Sequence, residues 1–456
     1  MFRRHLPLAL PLVAFVVSRV AAVQAGVRFD ARPLRNFWQY LDIALLRDRL
    51  LESVHHLHTQ PPLFNLFLGA VLKLAGGRYE KWFWSIYLAA GVLLTVSLYL
   101  LLVRLGAGRW LAAAATTLFV VSPAAILYEN FLIYDYLVAA LVLLRNAYHL
   151  VWMIAAGACL VFFDRRHWRR SLAVFAVPFA LVLAWHVKSK VMFGFFGTSW
   201  AGQTLVQLTV WELPVAERQK LVAEGKLSPF CAYRKPFMPL PDIAQHLPPY
   251  QPRGIPALDT ERKSTGAVNF NHAAYLDVSH AFLRDFKVAL AYSPRTYLNS
   301  LRQTFLLFFE SSTTSRFVRE NRAAIAGYNR LYNRWVYGEF TSVTTEKKTE
   351  GGWTHVAWSQ KLGTKPFFLM IGIPLAFVWA VVRLWRARKT RDLAFLATAS
   401  FMLGTLLYAT IVGNCTAIGD NHRYRFTIDG FFLAFLVLLA ADLGAALRRR
   451  LARRRA

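Results

Sequence analysis

The sequence is poor in acidic residues and in cysteine. It holds 25 Asp and Glu against 54 Lys and Arg in 456 residues, and only three cysteines. It also lacks an internal repeat, a glycine-rich phosphate-binding loop and the ligand spacing of a zinc site. These absences argue against a repeat protein, a zinc domain and a cytosolic site for ATP or a nucleotide sugar. Cys231 and Cys415 could pair, which the sequence does not decide.

The surplus of positive charge is the second unusual feature. A net charge of +29 is compatible with nucleic-acid binding, but the cations cluster at the ends of apolar runs. The clusters are Arg3 and Arg4, Arg104 and Arg109, residues 165–170, residues 383–391 and the tail 448–455. Cytoplasmic loops of membrane proteins retain cations in this way. We therefore expect membrane lipids as partners and no nucleic acid.

Apolar runs dominate the composition. Hydrophobic residues make up 56% of the chain, and the mean hydropathy is +0.34. A membrane span needs about 20 apolar residues. Eight runs qualify, at residues 6–25, 82–104, 109–127, 136–163, 171–187, 366–385, 393–412 and 428–446. The predicted fold is an all-α polytopic membrane protein of about eight transmembrane helices, with interfacial helices and a mainly α, loop-rich extracytoplasmic segment.

The charge pattern also predicts the topology. If residue 1 is cytoplasmic, every cationic cluster falls on the cytoplasmic side, so both termini are cytoplasmic, as in a bacterial inner-membrane protein. The first run is long, contains Arg19 and precedes no small-residue cleavage site, so we interpret it as a retained span. Residues 61–75 and 296–309 are too short to cross and are predicted as interfacial helices. Arg145 interrupts the fourth run and is expected at the outer interface.

Three parts follow from this topology. Residues 1–187 form an N-terminal transmembrane catalytic module with outer loops at 26–81 and 128–135. Residues 188–365 form an extracytoplasmic soluble segment. Residues 366–456 supply the C-terminal transmembrane helices and a basic cytoplasmic tail.

Polar residues from three distant outer segments fall at the same face of the predicted bilayer. We call them the first loop (residues 28–65), the second loop (residues 128–136) and the last loop (residues 419–429). They bring two acidic groups and a cationic group to one level of the membrane. A carboxylate can take a proton from an acceptor hydroxyl, and cations can stabilise a departing phosphate. A divalent cation could share the second task if carboxylates gather around it, and the sequence leaves its ligands unknown.

Five passages carry a resemblance to a known family. They are YLD at 40–42, HTQPPLFN at 58–65, YENFLIYD at 128–135, KSKVMFGFFGTSW at 188–200 and NHRYRFTID at 421–429. In order and sidedness they resemble the glycosyltransferase C superfamily, which includes aminoarabinose transferases, protein O-mannosyltransferases and the catalytic subunit of oligosaccharyltransferase. The resemblance spans most of the chain.

The resemblance implies roles for particular residues. Asp42 matches the first-loop acidic residue near the acceptor and is expected to act as base. Asp135 matches the second-loop acidic residue, and Glu129 is a third catalytic candidate. The residues implied for the donor or its phosphate are His58, Gln60, Lys188, Arg423, Tyr424 and Arg425.

Structural roles compete with each of these assignments. Asp42 could be a solvated surface carboxylate, Asp135 a helix N-cap, and Glu129 the partner of a neighbouring cation. Lys188 and the two arginines could reach lipid headgroups instead of a substrate. The close spacing of three histidines suits a solvent-exposed loop at least as well as a metal site; they are His55, His56 and His58.

Two departures separate the chain from its relatives. Aminoarabinose transferases have a phosphate-contacting lysine where this chain has Gln60, so the sugar lipid stays open. Relatives also carry extra membrane segments between the second-loop acidic residue and the passage 145–152.

The sequence therefore predicts a membrane glycosyltransferase. It would move a sugar, with inversion, from a polyprenyl phosphate to a glycan, lipid or protein acceptor on the noncytoplasmic face. A lipid-linked sugar transporter or flippase is the alternative. Such a protein should show internal repeats, broken helices or polar residues at mid-membrane.

Overall fold

The computed structural model describes residues 2–141, 150–163, 168–232, 237–341, 347–350, 353–356, 364–390 and 392–455. The predicted span at 136–163 is covered only in part, and Arg145 lies outside the described residues. So do Arg165, Arg166 and Arg391 of the cationic clusters.

Most described residues are helical. The N-terminal part contains helices Phe2–Gln24, Pro33–Asn36, Ile43–Asp48, Leu50–His55, Pro62–Ala75, Tyr79–Arg104, Arg109–Val120, Pro123–Glu129, Tyr134–Leu141, Leu150–Phe163 and Trp168–Phe193, with a 3₁₀ turn at Gly76–Arg78. The central part contains helices Ala201–Leu208, Val215–Ala223, Leu240–Ile243, Pro256–Asp259, Ala274–Tyr292, Pro294–Phe308, Arg319–Ala324 and Ala326–Tyr332. The C-terminal part contains helices Phe367–Thr390, Leu393–Thr416, Asn421–Phe426 and Asp429–Arg455.

Short turns and strands complete the central part. The 3₁₀ turns are Val210–Glu212, Pro229–Ala232, Ala244–His246, Ser312–Thr314 and Arg316–Val318, and Asn333–Tyr337 is a π-helical turn. Strand Glu339–Thr341 pairs antiparallel with Thr364–Pro366, and Lys347–Glu350 pairs antiparallel with Trp353–Val356. The expected all-α fold therefore holds in its main part, with these two small sheets as the exception.

Six helical stretches are long and apolar enough to cross a membrane. Among the described residues they are Leu6–Gln24, Pro62–Arg104, Trp168–Phe193, Phe367–Ala387, Phe395–Thr416 and Asp429–Arg454. A bent pair, Arg109–Val120 and Pro123–Glu129, makes a seventh if its two halves form one span, with 56° between them. The chain is thus an integral membrane protein, and these stretches match six of the eight predicted spans, or seven if the bent pair forms one span.

Local signals in the sequence explain the bend. Ser122 ends the first half and caps the second, since its hydroxyl accepts a hydrogen bond from the Ala125 amide at 3.2 Å. Pro123 occupies the first helical position, where a missing N–H is harmless. The short helix after the bend is buried and ends at Glu129.

The predicted interfacial stretches are both helical. Pro62–Ala75 continues through one turn into Tyr79–Arg104, and Pro294–Phe308 buries Ser300, Thr304 and Leu307 on one face. Their position against the bilayer stays a prediction.

The loops meet where the membrane helices end. The Asp30 amide donates to the Asn130 carbonyl, and the Leu132 amide donates to the Asp30 carbonyl, each at 2.9 Å. The short helix Asn421–Phe426 packs against Tyr134–Leu141 and Pro294–Phe308. The first, second and last loops therefore contact one another, while their position at one face of a membrane stays a prediction.

The central part has its own apolar core and is tied to the first loop. Trp200, Trp211 and Phe282 are buried in that core. The Lys263 ammonium donates to the carbonyls of Phe37 at 2.8 Å and Tyr40 at 2.6 Å. Cys231 and Cys415 are both free thiols, so the pairing that the sequence left open does not occur in this structure.

Candidate functional site

Glu129 forms a buried ion pair with the first helix. Its carboxylate accepts hydrogen bonds from Arg19 at 2.9–3.2 Å and from the Tyr136 hydroxyl at 2.5 Å. Arg19 also donates to the Val120 carbonyl at 2.5 Å. Glu129 is fully buried, and it lines none of the described cavities. Its geometry is that of a structural residue. This agrees with the alternative role given above, in which Glu129 pairs with a cation.

Asp135 and Arg423 join the second loop to the last loop. The Arg423 guanidinium donates to an Asp135 carboxylate oxygen at 2.8 Å, and both side chains are buried. The Tyr40 hydroxyl donates to the Leu132 carbonyl at 2.9 Å. Burial first, then Tyr87 and Tyr134, and then Asp135 raise the pKa of the Tyr40 phenol well above its usual range, while Arg423 opposes the shift. All three loops thus contribute to one electrostatic cluster.

The Arg423 guanidinium also lies between two aromatic rings. Its central carbon is 5.1 Å from the centre of the Phe317 ring and 5.3 Å from that of Tyr424. Its Nε has no hydrogen-bond partner among the described residues. Burial is the largest influence on the pKa of this guanidinium and lowers it, but Asp135 together with Tyr134, Asp420 and Tyr424 makes the net shift upward. Arg423 is therefore a cation that Asp135 fixes in place and whose Nε can still donate a hydrogen bond.

Arg425 is bound far more completely. Its guanidinium donates to the carbonyls of Phe308 at 2.5 Å and Glu310 at 2.9 Å, to the Ser312 hydroxyl at 3.1 Å and to Asp429 at 3.0 Å. The side chain is only 1% exposed. These bonds fix the last loop to the central part, and they leave Arg425 little capacity for a phosphate.

Asp42 points toward the central part rather than toward the other loops. Its carboxylate caps helix Ile43–Asp48 through the Ala44 amide at 3.1 Å, and it accepts from the Ser264 amide at 2.7 Å and hydroxyl at 2.5 Å. Lys263 is close enough that Asp42 raises its pKa, although burial dominates and lowers it to about 8. Within the described part of the chain, Asp42 contacts neither Asp135 nor Arg423.

His58 and Lys188 hold the end of the first loop. The His58 ring lies between the Ser199 hydroxyl at 2.6 Å and the Asn271 carbonyl at 2.9 Å. Burial lowers the pKa of His58 to about 3, against an opposing hydrogen bond to Asn271. Lys188 donates to the carbonyls of His55 at 2.8 Å and Leu57 at 3.0 Å. Both side chains are engaged by protein groups.

A cavity of about 250 Å³ lies where the last membrane helices meet the loops. We call it the membrane-side cavity. Its lining residues are Trp38, Gln39, Gln60, Tyr134, Phe196, Gly197, Thr198, Trp200, Ala201, Thr204, Leu205, Ala409, Val412, Gly413, Thr416, Ala417, Tyr424 and Thr427. Small residues of helix Leu393–Thr416 form one wall, and the stacked rings of Trp38 and Trp200, 4.6 Å apart, lie in another. Of the sequence candidates, Gln60 and Tyr424 belong to this cavity.

A second cavity of about 410 Å³ lies among the loops. We call it the loop cavity. It is lined by Asp30, Arg32, Pro33, Asn36, Phe37, Trp38, Phe131, Phe237, Phe270, Arg316 and Phe317. Trp38 borders both cavities. Phe317 of the loop cavity and Tyr424 of the membrane-side cavity are the two rings close to Arg423, so each cavity contributes one aromatic ring beside the buried cation.

Sequence reasoning missed three residues at these cavities. Asp30 lies on the loop cavity and is paired with Arg32 at 2.6 Å. Trp38 and Gln39 precede the YLD passage and line the membrane-side cavity. Asp30 is in the first loop like Asp42, but nothing in its local pattern distinguishes it, because its position depends on pairing with the second loop 100 residues away.

No family model, curated protein or solved structure matches this chain. Among the residues that the structure describes, no three His, Cys, Asp or Glu side chains come together as a metal site would require.

Proposed function

We propose that this chain is a membrane glycosyltransferase that takes a sugar from a polyprenyl phosphate donor. The observation that carries the proposal is the pair of cavities that share Trp38 and that each contribute one aromatic ring beside the Arg423 guanidinium. One cavity adjoins a membrane helix and suits a lipid-linked donor. The other lies among polar loops and suits an acceptor.

The donor would extend from the membrane-side cavity into the lipid. Ala409, Gly413 and Ala417 supply a wall of small residues for an isoprenoid chain. The donor phosphate would lie near Tyr424 and Arg423, whose Nε still has a hydrogen bond to give. A charge-assisted hydrogen bond of this kind stabilises the phosphate as it leaves with the electrons of the broken sugar bond.

A carboxylate of the first loop would act as base. It would take the proton of the acceptor hydroxyl while the hydroxyl oxygen bonds to the anomeric carbon and the phosphate departs from the opposite side, with inversion. The resemblance assigns this role to Asp42, whereas the cavities favour Asp30, which lines the loop cavity. The Arg32 guanidinium donates to both carboxylate oxygens of Asp30, at 2.9 Å and 2.6 Å, and so orients the side chain.

The reaction would take place on the noncytoplasmic face of a bacterial inner membrane. Support comes from the cationic clusters, which fall opposite the loops in the predicted topology. In a cysteine-free background of intact cells, a cysteine at exposed Gln251 should react with an impermeant reagent, whereas one at Arg449 should react only after lysis. The reverse pattern would overturn this orientation.

Paired carboxamide variants test the chemistry. Transfer from a synthetic polyprenyl phosphate sugar to envelope extracts should fall about 10²- to 10⁴-fold in the variant that loses the base, either Asp30→Asn or Asp42→Asn. Asp48→Asn, exposed in the same loop, is the matched control. Chelator added to the same assay tests for a divalent cation.

The same measurements separate an enzyme from a transporter. If the purified protein binds the lipid donor but all three variants and the wild type transfer no sugar, while the wild type moves the donor across vesicles, the flippase alternative replaces the proposal.

A further inference from the structure

The side-chain oxygen of Gln39 is buried at the membrane-side cavity, and no described residue is its hydrogen-bond partner. The side chain is 8% exposed, and its amide oxygen has no hydrogen-bond partner among the described residues. Because amide oxygen and nitrogen are interchangeable by rotation, this group can accept or donate. A buried polar atom without a partner costs about 1–3 kcal/mol. Such an atom on a cavity wall indicates a polar group of a ligand.

Gln39 also lines a smaller cavity that shares Gln60 and Tyr134 with the membrane-side cavity. The smaller cavity is lined by Gln39, Tyr40, Gln60, Pro61, Phe64, Asn65 and Tyr134. The backbone around it is fixed, because Asn65 binds the Leu41 amide at 2.8 Å and the Gln39 carbonyl at 3.2 Å. The Gln39 side chain is thus presented from a rigid first loop rather than from a free surface.

The lining of the membrane-side cavity carries no charged side chain. All of its lining residues are described, and none is Asp, Glu, Lys, Arg or His. Amides, hydroxyls and aromatic rings are the groups that recognise neutral hydroxylated rings. A cationic amino sugar or an anionic uronic acid would bury its charge here without a counter-ion, which is strongly unfavourable.

The charged part of a donor has a separate place. The Arg423 guanidinium lies 5.3 Å from the centre of the Tyr424 ring, which lines the cavity. A sugar phosphate could therefore place its neutral ring against Gln39 and its phosphate toward the cation.

We propose that the membrane-side cavity selects donors with an uncharged sugar and that Gln39 is the specificity-determining residue, hydrogen-bonded to a ring hydroxyl. The inference rests on the proposed function and adds the substrate class. Gln39 acts on binding, and no bond is made or broken at its side chain.

Binding of three probes to the full chain in nanodiscs tests the inference. The probes are a polyprenyl phosphate without sugar, the same lipid with a neutral hexose or pentose, and the same lipid with an amino sugar. Wild-type protein should bind the neutral sugar lipid at least about tenfold more tightly than the amino-sugar lipid. Gln39→Leu should lose about tenfold for the neutral sugar lipid, the value of one hydrogen bond, and keep its affinity for the sugar-free lipid.

Two further variants sharpen the result. Gln39→Glu places a carboxylate in the cavity and should shift the preference toward the amino sugar. Gln251→Leu, at an exposed glutamine, should change nothing. Unchanged affinity for the sugar-free lipid also shows that each variant is folded.

The outcomes separate this inference from the proposed function. If wild-type protein binds the amino-sugar lipid as tightly as the neutral one, or Gln39→Leu weakens all three probes equally, the assignment of Gln39 is wrong while lipid binding stands. If no probe binds, sugar-free lipid included, the proposed function and this inference fall together.

Discussion

Arg423 and Arg425 lie two residues apart in one short helix, yet they belong to different regions of the molecule. Arg425 faces the core beneath the last loop and gives four hydrogen bonds to the protein. Arg423 faces the cavity wall, where one guanidinium nitrogen has no partner among the described residues. The Arg19–Glu129 pair belongs with the first region and Gln39 with the second.

The difference shows where buried polarity is structural and where it is available to a ligand. In the core, the charged side chains are hydrogen-bonded to protein groups. Removing one member of a pair leaves the other charge buried in apolar surroundings without a partner. At the cavity, the protein leaves hydrogen-bonding capacity unused and accepts a loss of stability. The predictions below test that contrast through stability on one side and ligand binding on the other.

The largest effect on stability is expected from Arg19→Met. The change leaves the Glu129 carboxylate buried without its cation, which should lower the free energy of unfolding by about 3–5 kcal/mol. Thermal unfolding in detergent measures the loss. Arg49→Met removes the exposed pair with Glu52 and should cost less than about 1 kcal/mol. Equal melting of the two variants would contradict the distinction.

Arg423→Ala should weaken binding of sugar-free polyprenyl phosphate about ten- to a hundredfold, the value of a lost charged hydrogen bond. Because the change also strands Asp135, the double variant Arg423→Ala with Asp135→Asn should recover stability without recovering affinity. Titration of both variants in nanodiscs provides the comparison. Full affinity in the double variant would assign Arg423 to the structural region.

Arg425→Lys should reduce stability and leave lipid affinity nearly unchanged. Lysine keeps the charge but cannot reproduce the planar set of donors, so at least one buried acceptor loses its partner, at a cost of about 1–3 kcal/mol. Arg423→Lys is the matched control and should melt closer to wild type. A loss of lipid affinity in Arg425→Lys without a loss of stability would reverse the assignments.

The smallest effect concerns pH. His58 has a pKa of about 3 when folded and about 6.5 when unfolded. Below pH 6.5 the unfolded state therefore binds a proton at His58 that the folded state does not bind. The free energy of unfolding falls for this reason as the pH falls from 6.5 toward 3, by up to about 1.4 kcal/mol per pH unit. His58→Gln should flatten the dependence between pH 6.5 and 5 in denaturant titrations. The exposed His280→Gln should keep the wild-type slope.

The sequence predicts the membrane helices well because long apolar runs between cationic clusters depend on local composition. It also places Asp135 and Arg423 at the same level, since loops that follow membrane helices share a face. It does not predict the partner of Glu129, because Arg19 is 110 residues away and lies inside an apolar run. Nor does it distinguish Gln39 from Gln60, since an unpaired amide is a property of packing and not of pattern.

The hydrogen bonds between the first loop and the central part have a consequence for biosynthesis. Lys263 binds the Phe37 carbonyl 226 positions earlier in the chain, and Asn271 binds the His58 amide 213 positions earlier. A ribosome must therefore make most of the central part, and the translocation machinery must deliver it, before the first loop reaches its final shape. Nascent chains that stop short of residue 263 would present Trp38 and Gln39 on an unsupported loop, a natural target for membrane quality-control proteases.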